Sequence, residues 1–333
     1  MALDRPLVRA PEFPPVEWLN TPAPPSLADL RGQVVLVELW DFTCINCLRT
    51  LPTLRDWNMR YEDSGLVTLG VHTPEFPFAR DPQAVRRAIG RLGIRWPVAL
   101  DNDQKIWVLF ANHVWPTVYL VDRAGYIRFR REGEGGYFEL EAAIRALLTE
   151  SRPGVAPLPP PLTSDQEQPG GGISPELQIE AVGSGPVPED DAISHAIPEH
   201  RTEGSFYVEG EWKAVRRGLT LESEHGGIVL PFQAFAVHAV MAVEGNDPGV
   251  GAWLEASLDG QSVPSGCFGQ DLQLLEGATG LRVDTARSYD ILQSVAPGLH
   301  ELRLRLVSPG TTLYAFSFDP CLQPPSFTRS DPC

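Results

Sequence analysis

Three shortages shape the reading of this 333-residue chain. Nowhere do about 18 apolar residues follow one another, the length a helix needs to cross a bilayer. The opening MALDRPLVRAPEFPPVEWLN carries no apolar run of signal-peptide length. The expectation is a chain without a membrane span that works in the cytoplasm as the sequence stands, a trimmed periplasmic or extracytoplasmic fragment being the alternative. Cysteine is scarce, five residues in all, too few for a disulfide scaffold. Basic residues are also in short supply, 27 Lys and Arg against 43 Asp and Glu, for a net charge of −16. Clusters able to neutralise phosphates are missing, which excludes a nucleic-acid partner.

What is present is ordinary for a globular protein: 43% hydrophobic and 21% charged residues. The length exceeds the roughly 250–300 residues at which single cores stop growing, so two domains are expected. A Pro cluster with Gly and polar residues, SRPGVAPLPPPLTSDQEQPGGG, occupies 151–172 and buries too little apolar area to offset ordering entropy. It reads as a linker between a redox domain at 1–150 and a second domain at 173–322, with a flexible tail at 323–333.

Hydrophobic period sets the elements. VVLVELW at 34–40, apolar except for Glu38, reads as a buried strand. Leu48, Leu51, Leu54 and Trp57 then repeat at helical spacing, with Pro52 expected to kink that helix or open its second segment. GLVTLGVHT is a strand, DPQAVRRAIGRLGI a helix opening at Pro82 and closing at Gly93, and WPVALD a short strand. WPTVYLVDRAGYIRFRREGE alternates as a hairpin turning at DRAG, before the helix FELEAAIRALLTE. From about 173, short alternating stretches such as SFYVEGEWKAV, GIVLPF, AWLEASLDG and TTLYAFSFD, with turn pairs Asp259-Gly260 and Pro309-Gly310, indicate an antiparallel sandwich or jelly roll.

The chemistry concentrates in WDFTCINC. A C-x-x-C at the start of a helix, directly after a buried strand, places Cys44 near unpaired amides and the positive helix end, which favours a nucleophilic thiolate. Cys47, one turn inside, is placed to resolve the mixed disulfide. A zinc site needs a second C-x-x-C or a His pair, which the sequence does not supply, so no metal or other cofactor is expected. Glu38, inside an apolar strand, is costly to bury as a lone charge; a buried carboxyl with a raised pKa can take and return the proton of Cys47. An exposed edge position is the bland alternative. Pro116, before a strand, is the best candidate for a cis proline, which would leave the Trp115 peptide group free to pair with an extended substrate; from the residues alone a trans turn proline is the default. Trp40 and Trp115 roof the site or pack the core; with Ile45 and Asn46 they are the substrate-groove candidates. His72 and Glu75, at a strand end, gather at the site or fix a loop.

GQVVLVELWDFTCINCLRTLP, GLVTLGVHTPEF, RWPVALDND and WPTVYLVDRAGYIRFRREGEG together closely resemble the TlpA-like thioredoxin domain at the C-terminal end of DipZ-type proteins, over about 26–150. The resemblance implies an α/β thioredoxin-like fold with Cys44 attacking, Cys47 resolving, Glu38 at the buried acid position and Pro116 as the cis proline. SFYVEGEW, YDILQ and LYAFSFD resemble the β-sandwich that follows there, a module similar in shape to carbohydrate-binding modules. A glycan or protein ligand is implied for it, with Trp212, Trp253, Tyr289 and Tyr314 as either a sugar-stacking face or core. DipZ-type proteins also carry an N-terminal membrane portion that feeds electrons, which leaves the donor for this chain open.

The reading is thus a thiol:disulfide oxidoreductase, exchanging with protein disulfides or dithiols and an unidentified electron donor. Two alternatives stand beside it: a peroxiredoxin-like peroxidase, whose P-x-x-x-T-x-x-C pattern the residues ahead of Cys44 and Cys47 do not fit, and a binding protein with a static disulfide. Cys321 and Cys333 form a candidate second pair; Cys267, in SGCFG, reads as a small buried or turn residue.

Overall fold

The computed structural model describes residues 8–150, 157–162, 176–179, 181–182, 185–186, 192–195, 197–243, 251–275 and 277–320. The chain divides into two compact units, Met1–Glu167 and Gln168–Cys333.

The first unit is built on six strands: β1 Trp18–Leu19, β2 Val34–Trp40, β3 Leu66–His72, β4 Val98–Leu100, β5 Thr117–Val121 and β6 Ile127–Glu132, in the order β1-β4-β3-β2-β5-β6. β2 runs parallel to β3 and antiparallel to β5, so it is paired on both sides and buried along its whole length. Successive side chains point to opposite faces of a sheet. Val34, Leu36 and Trp40 therefore meet the helices α1 Ile45–Tyr61, α2 Pro82–Leu92 and α4 Tyr137–Thr149, while Val35, Val37 and Leu39 pack with the short helix α3 Lys105–Leu109 and the N-terminal segment. Glu38 shares the parity of Leu36 and Trp40 and falls on the α1 side.

The helix signals act locally. Asp81 caps α2 by accepting from the amides of Gln83 and Ala84, Pro82 takes the first turn, and Gly93 closes it at φ +65°. α1 continues through Pro52 as one 17-residue helix. α3 was not expected from the sequence: its amides at Ile106 and Trp107 are held by the Asp101 carboxylate at the end of β4, at 2.9 and 2.8 Å. Part of the segment read as linker also belongs here. Leu158 packs on the first core, Arg145 and Arg60 donate to the carbonyls of Pro159 and Pro160, and the Leu162 amide donates to buried Glu141. Glu141 also accepts a 2.5 Å bond from the Tyr61 hydroxyl.

The second unit is an antiparallel β-sandwich. One sheet carries 272–275, 278–283, 252–258, 300–306 and 226–232; the other carries 218–221, 311–319, 236–243 and 287–292. Tyr207–Val215 serves both, pairing Tyr207–Glu209 with one sheet and Trp212–Val215 with the other. The switch occurs at Gly210, φ +101°, where a Cβ would meet the His225 carbonyl at 2.8 Å. The two inner faces enclose one core around Trp212, Phe232, Met241, Leu254, Tyr289 and Phe316. The strand Leu272–Leu275 was not anticipated.

Candidate active site

Cys44 is the N-cap of α1, with extended backbone, and its Sγ accepts a hydrogen bond from the Cys47 amide at 3.2 Å. Both cysteines are free thiols, Cys44 half-buried and Cys47 fully buried. Only the first is therefore open to a partner, an asymmetry imposed by one turn of helix. The loop before it is set by Asp41, whose Oδ1 accepts from the Thr43 amide and hydroxyl, both at 2.6 Å. The same carboxylate reaches across to the loop after β3, where its Oδ2 accepts from the Glu75 amide at 2.8 Å.

Glu38 is wholly buried, and neither carboxyl oxygen has a hydrogen-bond partner. Burial raises its pKa from the ordinary carboxylate range to about 8. Burial likewise pushes the Cys47 thiol well up; the contact with Cys44 adds to this, and the Glu38 carboxylate adds a smaller push. A carboxyl able to hold a proton near neutrality is thus coupled to the resolving thiol.

The expected bias of Cys44 towards thiolate meets an opposing influence. The helix amide does bond its sulfur, but burial outweighs that help and raises the thiol pKa, with the charges of Glu75 and Asp41 adding to the rise. Helix-end stabilisation is worth little against desolvation when the surrounding side chains are carboxylates.

The groove candidates separate. Trp40 is fully buried, edge-on to His72 at 5.4 Å, and is core rather than groove, because strand parity turns it under α1 with Glu38. Ile45 is 8% exposed and also packs inward. Asn46 is half-buried and its side-chain carbonyl accepts from Arg49, which pairs with Glu134 at 2.8 Å. Trp115 is half-buried at the rim, tilted against Trp107 with ring centroids 4.3 Å apart, and its indole donates to the Thr73 carbonyl at 3.1 Å. The Trp115–Pro116 peptide bond is cis, and Pro116 leads into β5, where Thr117 pairs with Leu39 of the central strand.

His72 does not line the rim. It is fully buried against Phe42, its Nε2 lies 3.6 Å from Asp41 Oδ2, and burial lowers its pKa, which keeps it neutral. Glu75 stays partly exposed. Asp41 escaped the sequence reading, although Asp-x-Thr ahead of a helix start is a recognisable turn signal. Asp101 was missed too; it accepts from the Thr73 hydroxyl at 3.3 Å, fastening the same loop from the other side.

In the sandwich the four aromatics do not form one stacking face, and for two of them the core alternative holds. Trp212 and Tyr289 are wholly buried core residues, and the half-buried Trp253 and Tyr314 lie on different sheets. Cys267 ends a short turn, half-buried, with its Sγ 3.8 Å from the Ser294 carbonyl. Cys321 and Cys333 lie outside the described residues.

The family model described as AhpC/TSA family matches residues 10–130, and one described as Thioredoxin like C-terminal domain matches 176–319. The chain joins a thioredoxin-like AhpC/TSA-family domain to that C-terminal domain. It is 36% identical over 236 residues to Protein DipZ of Mycobacterium tuberculosis, an alignment covering 68% of this chain and 34% of that protein. The chain thus spans about a third of the length of this curated relative. Thiol-disulfide oxidoreductase YkuV of Bacillus subtilis is 26% identical over 135 residues, 40% of this chain and 89% of its own. Among solved structures, a thiol-disulfide isomerase from Corynebacterium glutamicum is 29% identical, covering 43% of this chain and 98% of its own with a TM-score of 0.39.

Proposed function

We propose that this chain is a thiol:disulfide oxidoreductase that reduces protein disulfides through Cys44 and Cys47. The observation that carries the reading is the asymmetric pair, a half-buried Cys44 capping α1 and a buried Cys47, with the buried, unpaired Glu38 on the α1 side of the sheet. The likeness to the thiol-disulfide oxidoreductase YkuV supports it.

Cys44, once deprotonated, attacks one sulfur of a substrate disulfide; that S–S bond breaks, a mixed disulfide forms, and the departing sulfur takes up a proton. Cys47 then gives its proton to ionised Glu38 and attacks the Cys44 sulfur, releasing the second substrate thiol. Two electrons and two protons pass to the substrate, and a Cys44–Cys47 disulfide remains for an external dithiol to reduce. The reducing direction is part of the proposal, and the electrostatics support it. Oxidants of this class stabilise their reduced form through an acidic thiol, whereas burial and two carboxylates hold the Cys44 thiol up, the setting of a reductant.

Dithiothreitol-driven reduction of insulin tests the proposal. Wild type accelerates precipitation of the insulin B chain, and Cys44→Ser returns the rate to background; an inactive wild type, or an active Cys44→Ser protein, overturns it.

A further inference from the structure

Glu38 has a bare neighbour on its own face of the sheet. In the parallel register of β2 and β3 it stands opposite Gly70, one strand spacing or about 4.8 Å away, and on its other side opposite Val118 of β5. Gly70 brings no side chain, and two indoles close over it. A Cβ there would meet Trp40 Nε1 at 3.1 Å, Trp96 Nε1 at 3.2 Å and a Val98 methyl at 3.3 Å. Trp40 is wholly buried and Trp96 is 4% exposed. Neither indole N–H has an acceptor, and neither Glu38 oxygen has a donor. Two unpaired donors and two unpaired acceptors thus share one buried layer across adjacent strands, where each alone costs desolvation without return. Ionisation of the carboxyl is the event that can join them, since a charged acceptor in a low-dielectric layer draws a donor more strongly than a neutral one.

We infer that Trp40 and Trp96 are positioning residues whose indole N–H groups receive the Glu38 carboxylate, over Gly70, when it ionises. The inference rests on the oxidoreductase reading above and adds to it the partners of the proton acceptor. Before resolution the carboxylate accepts from both indoles. Taking the Cys47 proton leaves a neutral carboxyl and a thiolate that attacks the Cys44 sulfur, and the indoles lose the charge that held them. By favouring the ionised form the two donors oppose the burial that pushes Glu38 up, and so keep a proton acceptor available near neutrality. They act through Glu38 and take no part in bond making. The other titratable groups packed on this side of the sheet are Cys44, Cys47 and Tyr61 of α1 and Tyr137 and Glu141 of α4, with Asp41 and His72 at the ends of β2 and β3; α2 faces it with Val85, Ala88 and Ile89.

The indole nitrogen–proton signals, followed by NMR across pH, test it. The full chain is used with Cys44→Ala and Cys47→Ala together, which takes the two thiols out of the titration, and Trp40→Phe and Trp96→Phe in that background assign the two signals among the eight tryptophans. As pH rises through about 8, both signals are expected to move downfield with one midpoint, and to stay still when Glu38→Gln is added. Trp96→Phe, which keeps a ring and removes one donor, moves the midpoint read at Trp40 up by on the order of one pH unit, the worth of one hydrogen bond to a charged group. Indole signals that ignore pH in the cysteine-free chain, that move as much with Glu38→Gln, or a Trp40 midpoint that stays put in folded Trp96→Phe overturn the inference. Should Trp96→Phe not fold, the comparison with Glu38→Gln still decides. The titration needs no catalysis, so a chain that shows it while wild type fails to reduce insulin sinks the oxidoreductase reading instead, and the two failures are told apart.

Discussion

The redox unit and the sandwich each bury polar side chains, and they satisfy them differently. In the sandwich, Thr220 and Thr312 share a hydrogen bond of 2.8 Å between strands, Thr279 donates to the Ala256 carbonyl at 2.6 Å, and Arg287 holds Asp271 at 2.7 Å while covering the Tyr289 ring. Buried His238 has a carboxylate on either side, Asp290 at 3.6 Å and Asp319 at 3.3 Å. In the redox unit, Glu38 and His72 are wholly buried with no hydrogen-bond partner, and both border the segment that carries the cysteines. Leaving an ionisable group unsatisfied costs stability, and such groups mark the place where the fold has been shaped for something other than packing. The contrast rests on Glu38: the sandwich also leaves His238 Nε2 and one Asp290 oxygen without a hydrogen bond, but among the described residues only Glu38 has both carboxyl oxygens buried and unbonded.

Substitutions test that contrast, beginning with the largest effect. Glu38→Gln is expected to slow resolution of the mixed disulfide by about 10²–10⁴, the range of lost general acid–base help, with the intermediate accumulating in a quench assay. The same variant gains stability at high pH. The raised pKa of Glu38 makes its stabilising contribution complete below the unfolded value and progressively lost as pH rises to about 8. Removing the carboxyl therefore stabilises the protein by on the order of 4 kcal/mol above that pH, visible as a flatter urea midpoint between about pH 5 and 8. A variant as pH-dependent as wild type would place the slope elsewhere.

Trp212→Ala should cost about 3–5 kcal/mol by opening a cavity in the sandwich, lowering its thermal midpoint while the alkylation rate of Cys44 stays put; a change at Cys44 would break the division of labour. Tyr61→Phe removes the donor to Glu141 and the acceptor for Arg145, at an expected cost of about 1–3 kcal/mol in denaturant unfolding. The smallest effect is that of Asp81→Ala, about 1 kcal/mol from the lost cap of α2, with disulfide exchange intact.

Much of this was legible before any coordinates. The strands and long helices follow from period, and the caps of α2 stand in the sequence as Asp-Pro at one end and Gly at the other. Glu38, Cys44 and Cys47 announced themselves through local pattern, and the cis Pro116 through the family resemblance, a trans turn proline being the default without it. Trp40 was legible as well: two residues from Glu38 in one strand, it must share that residue's face, and parity assigns it to the core. The clamp between Asp41 and Glu75 was not, because nothing local links residues 34 apart. α3 escaped for a similar reason, since its five residues are held by a carboxylate from the end of β4. The acidity of Cys44 was misjudged because a helix end is visible in sequence, whereas the burial opposing it is a property of the assembled loops.

One consequence of the central position of β2 concerns time rather than energy. Its backbone is bonded on one side to β3 and on the other to β5, with Glu38 opposite Gly70 and Val118. Amides in such a strand exchange with solvent only through the rarest openings of a fold, so the residue assigned to carry a proton hangs from the slowest-moving part of the domain. Breathing of the strand is then far too infrequent to deliver that proton within a turnover. On the proposed mechanism the proton reaches Glu38 by way of the Cys47 sulfur, once per reaction cycle.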